Sequence, residues 1–130
     1  MSSDKLVELA RDAREHAHAP YSGFKVGAVV ECGDGTLFTG CNVENSSYGL
    51  SLCAERVAIF KAISEGHHDF RRIAVIADSH VPVRPCGACR QVMSDLFGSE
   101  ADVIMANLKG SIETKRISDL LPTPFDRSFL

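Results

Sequence analysis

The sequence lacks any apolar stretch of the roughly 18 to 20 residues that a membrane-spanning helix needs. Its opening segment, MSSDKLVELARDAREH, is amphipathic and charged where a signal peptide would be apolar. It also lacks a basic tract, since lysine and arginine are scattered and the formal net charge is -3. A long nucleic-acid polymer is therefore a poor partner. We expect a cytoplasmic protein with no membrane partner.

Internal repeats, low-complexity tracts and flexible linkers are absent as well, so residues 1–130 are expected to form a single domain. A hydrophobic content of 45% is sufficient to build a core. The five cysteines are an odd number in a chain with no export signal, which disfavours a disulfide framework. Cysteines in this setting bind metal, act as redox groups or pack in the core.

Hydrophobic periodicity predicts the order of the elements. Helices are expected over residues 3–18, 53–66, 86–98 and 118–122, and strands over residues 24–31, 36–44, 72–78, 101–108 and 111–117. The first two strands flank the turn sequence CGDG and form a hairpin. The fold class is α/β, and the predicted architecture is a three-layer α/β/α sandwich around a mixed sheet of about five strands.

Three cysteines stand at predicted helix starts. Cys86 and Cys89 are spaced i, i+3 at one start, and Cys53 opens another helix. Helix N-termini favour thiolates, which are the form of cysteine that binds zinc. C-x-x-C alone fits a metal site, a redox pair or coincidence about equally. The additional sequence Cys53-Ala54-Glu55 favours metal, while a non-enzymatic zinc or redox protein stays open as an alternative.

Three protein ligands leave the fourth tetrahedral position of a zinc ion free for water, which is the pattern of a catalytic site. Glu55 lies on the same first turn as Cys53, so it is the predicted proton shuttle. Arg56 either offsets the excess negative charge of three thiolates or is an ordinary solvent-facing arginine. Cys32 and Cys41 have no ligand-like spacing to the other three and are interpreted as packing residues.

The pattern Cys53-Ala54-Glu55 followed by PCGAC, from Pro85 to Cys89, is that of the zinc deaminases. Together with PYSGFKVGA, GCNVENSSYG and PCGACRQ, it resembles the short-chain, homotetrameric cytidine deaminases over nearly the whole chain. The resemblance implies a hydrolase acting on C–N bonds of cyclic amidines.

The resemblance implies that Cys53, Cys86 and Cys89 hold one Zn²⁺ per subunit. Hydroxide on the zinc adds to C4 of cytidine or 2′-deoxycytidine, and Glu55 moves the protons. The products are uridine or 2′-deoxyuridine and ammonia, which places the enzyme in pyrimidine salvage.

The resemblance also implies a nucleoside-binding site that neighbouring subunits complete. It assigns pyrimidine stacking to Phe24, sugar binding to Asn42 and Glu44, contact with the amino group to the Ala54 carbonyl, and contact with a neighbour's nucleoside to Tyr48 and Phe125. From the residues alone, Phe24 also fits core packing, and Asn42 and Glu44 also fit a polar strand end with local turn bonds.

Other deaminases are the remaining alternatives. An enzyme acting on another aminopyrimidine, such as blasticidin S, would use the same zinc and glutamate, but the sequence NVEN favours a ribonucleoside. A polynucleotide deaminase would need to attract phosphates, which an acidic chain without a basic tract does poorly.

Overall fold

The computed structural model describes the whole chain, residues 1–130. The helices are α1 (Ser3–Arg14), α2 (Ala54–Ser64), α3 (Gly87–Phe97) and α4 (Ile117–Leu120). The strands are β1 (Val26–Cys32), β2 (Leu37–Cys41), β3 (Phe70–Ala77), β4 (Asp102–Asn107) and β5 (Ile112–Arg116). Single 3-10 turns lie at Tyr48–Leu50 and Arg127–Phe129. None of the helices combines the length and apolar character that crossing a bilayer requires.

The five strands form one sheet in the order β2-β1-β3-β4-β5. Only β3 and β4 pair in parallel, through the crossover helix α3, and the other three pairs are antiparallel. The prediction of a mixed, five-stranded sheet is therefore confirmed. The central strand β3 is buried along most of its length, as a continuous apolar run predicts.

Apolar side chains cover both faces of the sheet, so helices pack on both faces and the domain has three layers. On one face, Leu6 and Ala10 of α1 pack with a small cluster that includes Val29. On the other face, Ile59 of α2 and Met93 of α3 belong to the larger cluster of buried residues. The alternation of side chains along each strand supplies both clusters, because successive residues point to opposite faces.

The topology brings the N-termini of α2 and α3 to the same edge of the sheet. Strand β1 is antiparallel to both β2 and β3, so β2 and β3 run in the same direction. In the register, Gly27 of β1 pairs with Cys41 at the end of β2, while its neighbour Val26 pairs with Ala77 at the end of β3. The helices that follow these two strands therefore begin near each other.

Two predicted boundaries differ from the structure by three or more residues, and the others lie within two residues. The first helix ends at Arg14 and not near residue 18, because the backbone of His18 is drawn into bonds with Asn42 and Glu44. The second strand ends at Cys41 and not at residue 44. Val43 instead forms isolated bridges to His18 and Leu52, so the segment after β2 connects two loops at the edge of the sheet.

Candidate active site

The three cysteines converge. Cys53 is the N-cap residue of α2, Cys86 is the N-cap residue of α3, and Cys89 lies in the first turn of α3. Their Sγ atoms all lie within 4.8 Å of one another, and those of Cys53 and Cys86 are 3.7 Å apart. Cys32 is buried and Cys41 is half-buried, and neither belongs to the cluster.

The thiol cluster fits a zinc ion. Zinc–sulfur bonds of about 2.3 Å in a tetrahedral site separate the ligand sulfurs by about 3.8 Å, close to the observed Cys53–Cys86 distance. Neither N-cap cysteine makes a side-chain capping bond, so neither sulfur is engaged by the N–H groups of its own helix. No histidine or carboxylate joins the cluster, which leaves one tetrahedral position open.

Neighbouring groups favour the thiolate of Cys53. Hydrogen bonds to its sulfur, first from Cys89 and then from the Arg56 guanidinium, lower the pKa of Cys53 to about 5. Contact with the Cys53 sulfur and burial raise the pKa of Cys89. Zinc binds the thiolate form of cysteine, so binding of the metal would displace the protons that remain on the cluster.

Arg56 faces the thiol cluster and not the solvent alone. Its Nη2 lies 3.4 Å from the Sγ atom of Cys53, and the side chain is partly buried. The neighbouring Nε is buried without a hydrogen-bond partner. The guanidinium therefore places positive charge beside the thiolates.

Glu55 is buried beside this cluster. It lies in the first turn of α2, and only 4% of its surface is exposed. Burial raises the pKa of Glu55 to about 7, and the negative charge of the Cys53 thiolate contributes to that rise. A carboxyl group with a pKa near neutrality both accepts and donates a proton readily, as general acid–base catalysis requires.

A pocket of about 450 Å³ opens next to Glu55 and the cysteines. Its lining comprises Ser22, Phe24, Val26, Asn42, Glu44, Tyr48, Ser51, Leu52, Cys53, Ala54, Glu55, Arg56, Val83, Arg84 and Cys86. The volume is in the range of small-molecule sites, and the lining combines apolar walls with a few polar groups. All the predicted substrate contacts except Phe125 therefore meet in one cavity.

Asn42 and Glu44 hold the loop that carries Phe24. The Asn42 side chain accepts a hydrogen bond from Val26 N–H at 2.8 Å and donates one to the Phe24 carbonyl at 2.8 Å. The Glu44 carboxylate accepts hydrogen bonds from the preceding part of that loop, at Tyr21 and Ser22. Both side chains face the same loop although β2 has already ended.

The three predicted aromatic contacts are all exposed in the single chain. Phe24 lies in the pocket wall, and Tyr48, 79% exposed, lies at the same pocket. Phe125 is 59% exposed and lies outside the pocket, where it stacks on Phe129 with ring centroids 5.3 Å apart. The core-packing interpretation of Phe24 is therefore wrong, because a core residue would be buried.

Sequence reasoning did not identify three residues that shape the site. Ser22 and Arg84 line the pocket. Arg90 donates from Nε to the Pro85 carbonyl at 2.8 Å and from Nη1 to the Leu120 carbonyl at 3.0 Å, which ties the loop before Cys86 to α4. In the sequence, only the proximity of these three residues to Phe24 or Cys86 indicated that they belong to the site.

Comparison with known proteins agrees with this geometry. The sequence model of the cytidine and deoxycytidylate deaminase zinc-binding region matches residues 1–105. A cytidine deaminase from Sporosarcina psychrophila is 47% identical over 130 residues, which cover 100% of this chain and 96% of that protein. One from Halalkalibacterium halodurans is 50% identical over 125 residues, covering 96% of this chain and 95% of that protein.

Solved structures show the same likeness. The crystal structure of cytidine deaminase from Burkholderia pseudomallei aligns with a TM-score of 0.94 at 49% identity, over 96% of this chain and 100% of that chain. Fold and cysteine cluster together define a deaminase with a zinc-binding region. The chain belongs to the cytidine and deoxycytidylate deaminase family, as an enzyme of the cytidine deaminase type.

Proposed function

We propose that the protein hydrolyses cytidine and 2′-deoxycytidine to uridine and 2′-deoxyuridine, with release of ammonia, in pyrimidine salvage. The observation that carries the proposal is that two members of the three-cysteine cluster, the buried Glu55 and the proposed base and sugar contacts line one pocket. Cys53, Cys86 and Cys89 would hold one Zn²⁺ per subunit. When bound, zinc supplies a Lewis acid that makes water nucleophilic at neutral pH.

Glu55 carries the protons in this proposal. It takes one proton from the attacking water and delivers it to N3 of the pyrimidine as the C4–O bond forms. It then takes the second proton of that water from the oxygen now bound to C4 and passes it to the amino nitrogen. The C4–N bond breaks, and ammonia leaves. One water is consumed for each ammonia released, and Glu55 returns to its starting state. Its burial and its pKa of about 7 support both directions of transfer.

The pocket walls hold the nucleoside. Phe24 stacks on the pyrimidine, and Asn42 and Glu44 bind the sugar hydroxyls. The Ala54 carbonyl accepts a hydrogen bond from the amino group. The presence of these groups in the lining of the same pocket as Cys53 and Cys86 supports this assignment. Arg56 offsets part of the negative charge of three thiolates, and its contact with Cys53 supports that role.

We also propose that the enzyme is a homotetramer with composite active sites. Tyr48 and Phe125 would contact the nucleoside of a neighbouring subunit. The support is the exposure of large apolar side chains near the pocket and in the tail, including Tyr48, Leu50, Phe125 and Phe129. Exposed apolar groups of this size commonly mark a protein–protein interface. Size-exclusion chromatography with light scattering measures the mass of the particle in solution, which we expect to be that of four chains.

The decisive assay follows the ultraviolet absorbance of cytidine incubated with purified protein. Deoxycytidine, cytosine and blasticidin S are assayed in parallel, and ammonia and zinc are measured on the same sample. We expect both nucleosides to be consumed with stoichiometric ammonia and about one zinc per chain. Consumption of blasticidin S alone would replace the proposed substrate class. Zinc-containing protein that leaves every one of these compounds unchanged would contradict the proposal.

A further inference from the structure

The hydroxyl of Ser22 links the proposed sugar-binding carboxylate to the proposed base-stacking residue. Its Oγ donates a hydrogen bond to Oε2 of Glu44 and accepts one from the Phe24 backbone N–H at 3.0 Å. One side-chain oxygen therefore contacts both segments that face the substrate. Ser22 itself lies in the pocket wall and is exposed.

The rest of the Glu44 carboxylate is also held by this loop. Oε1 of Glu44 accepts hydrogen bonds from the N–H groups of Tyr21 and Ser22, each at 3.1 Å. These bonds, with the Ser22 hydroxyl as the largest cause, lower the pKa of the Glu44 carboxyl and keep it charged at neutral pH. The charged form accepts hydrogen bonds from hydroxyl groups most strongly.

Counting the acceptor sites shows how much of this carboxylate remains for a ligand. A carboxylate offers about four acceptor sites, two on each oxygen. In Glu44, both sites of Oε1 and one site of Oε2 are taken by Tyr21 and Ser22. The remaining site is on Oε2, the oxygen that the Ser22 hydroxyl binds. The loop thus leaves room for one further donor, in a direction that Ser22 determines.

We propose that Ser22 is a positioning residue for sugar recognition, which orients Oε2 of Glu44 toward a single sugar hydroxyl and ties that carboxylate to Phe24. The inference rests on the proposed function, because the sugar is the ligand of Glu44 in that proposal. Ser22 does not touch the reacting atoms and acts through Glu44. Without the Ser22 hydroxyl, the Glu44 carboxylate would keep only its two bonds to Oε1, so Oε2 would be less fixed in direction and ordering it on sugar binding would cost entropy.

The test uses Ser22→Ala, which removes the hydroxyl, and Ser22→Thr, which retains it. The matched control is Ser64→Ala, whose hydroxyl bonds the Lys61 carbonyl at the far end of α2. For each variant we measure kcat and KM for cytidine, the inhibition constant of 2′,3′-dideoxycytidine against cytidine, and the melting temperature. Dideoxycytidine has the base but lacks the 2′ and 3′ hydroxyls.

We expect Ser22→Ala to raise the KM for cytidine about tenfold, the usual effect of losing a hydrogen bond to a charged group, with kcat changed less than about threefold. The inhibition constant of dideoxycytidine should change less than about twofold. Ser22→Thr should restore the KM, and Ser64→Ala should behave as wild type.

Equal effects on cytidine and dideoxycytidine would overturn the inference, and so would a loss confined to kcat or a threonine variant as impaired as alanine. An active wild-type enzyme with any of these results leaves the proposed function intact. A wild-type protein that does not consume cytidine contradicts the proposed function and this inference together.

Discussion

The Sγ atoms of Cys53 and Cys86 lie 3.7 Å apart at the N-termini of two different helices. The sheet produces this proximity, since β2 and β3 point in the same direction and each is followed by one of the helices. Both sulfurs receive the partial positive charge of a helix N-terminus, which favours thiolates. The cluster is therefore a candidate metal site that brings the starts of α2 and α3 together.

Replacing one ligand should release the metal. We expect Cys86→Ser to lose bound zinc and to lower the melting temperature, because metal binding to the folded state stabilises it. Cys41→Ser is the matched control, as Cys41 lies in β2 outside the cluster and should keep about one zinc per chain. Metal analysis and thermal unfolding, with and without a chelator, measure both effects. Zinc lost equally from both variants would contradict the ligand assignment.

The proton shuttle gives a second prediction. Glu55→Gln keeps the size of the side chain but removes its ability to exchange protons, so turnover should fall by about 10²- to 10⁴-fold. Zinc content should stay at the wild-type level because Glu55 is not part of the sulfur cluster. Glu65→Gln, an exposed change at the other end of α2, is the control and should leave kcat unchanged. Turnover by Glu55→Gln near the wild-type rate would contradict the shuttle.

Much of this fold was predictable because its signals are local. The apolar run of β3 and the glycines that end α2 and α3 mark their elements directly in the sequence. The end of α1 was not predictable, because His18 is extended by bonds to Asn42 and Glu44, which are distant in the chain. Hydrophobic periodicity does not reveal element boundaries that depend on such long-range pairing.

In the site, too, local patterns could be predicted from the sequence and long-range contacts could not. The spacing of Cys86 and Cys89 and the neighbouring pair Cys53 and Glu55 are short-range patterns, so the cluster could be predicted. The link from Ser22 to Glu44 joins residues of two separate loops, and no spacing rule pairs them. It depends on how the loop after α1 packs against the end of β2, which is a tertiary property.

A buried ion pair outside the site predicts acid sensitivity. Glu31, only 2% exposed, accepts a hydrogen bond from Nε of Arg72 at 2.7 Å. The Arg72 hydrogen bond and charge hold the pKa of Glu31 below its ordinary value. A depressed folded-state pKa contributes stability above the unfolded pKa and loses it as pH falls through the folded value.

We therefore expect Glu31→Gln to cost about 3 kcal/mol of unfolding free energy at pH 7, because it leaves Arg72 without its charged partner. The difference from wild type should begin to shrink as pH falls below about 4.5, where Glu31 protonates in the unfolded chain, and should vanish only below the lower pKa of the folded state. Urea unfolding across pH measures it. Glu100→Gln breaks the exposed pair with Arg116 and should cost less than about 1 kcal/mol. A pH-independent difference for Glu31→Gln would contradict the assignment.

Gly40 allows the first turn of α2 to lie directly on β2. A Cβ atom at Gly40 would lie 2.5 Å from the Ala58 nitrogen and 2.6 Å from the Ala54 carbonyl oxygen. Gly27 makes a similar close approach on the opposite face, where a Cβ would lie 2.0 Å from the Ala10 oxygen of α1. Alanine at either position forces a helix away from the sheet, and overpacking of this kind costs about 1–3 kcal/mol.

The two substitutions should separate stability from function. Gly40→Ala displaces the turn that carries Cys53 and Glu55, so we expect faster zinc release to a chelator and at least about tenfold lower kcat. Gly27→Ala displaces α1, which carries neither a cysteine of the cluster nor Glu55, and should lower the melting temperature while zinc release from the folded protein stays near wild type. Both are assayed at a temperature where circular dichroism shows each variant folded. Equal increases in zinc release would mean that the two contacts serve only general stability, because α1 lies on the opposite face of the sheet from the cysteines.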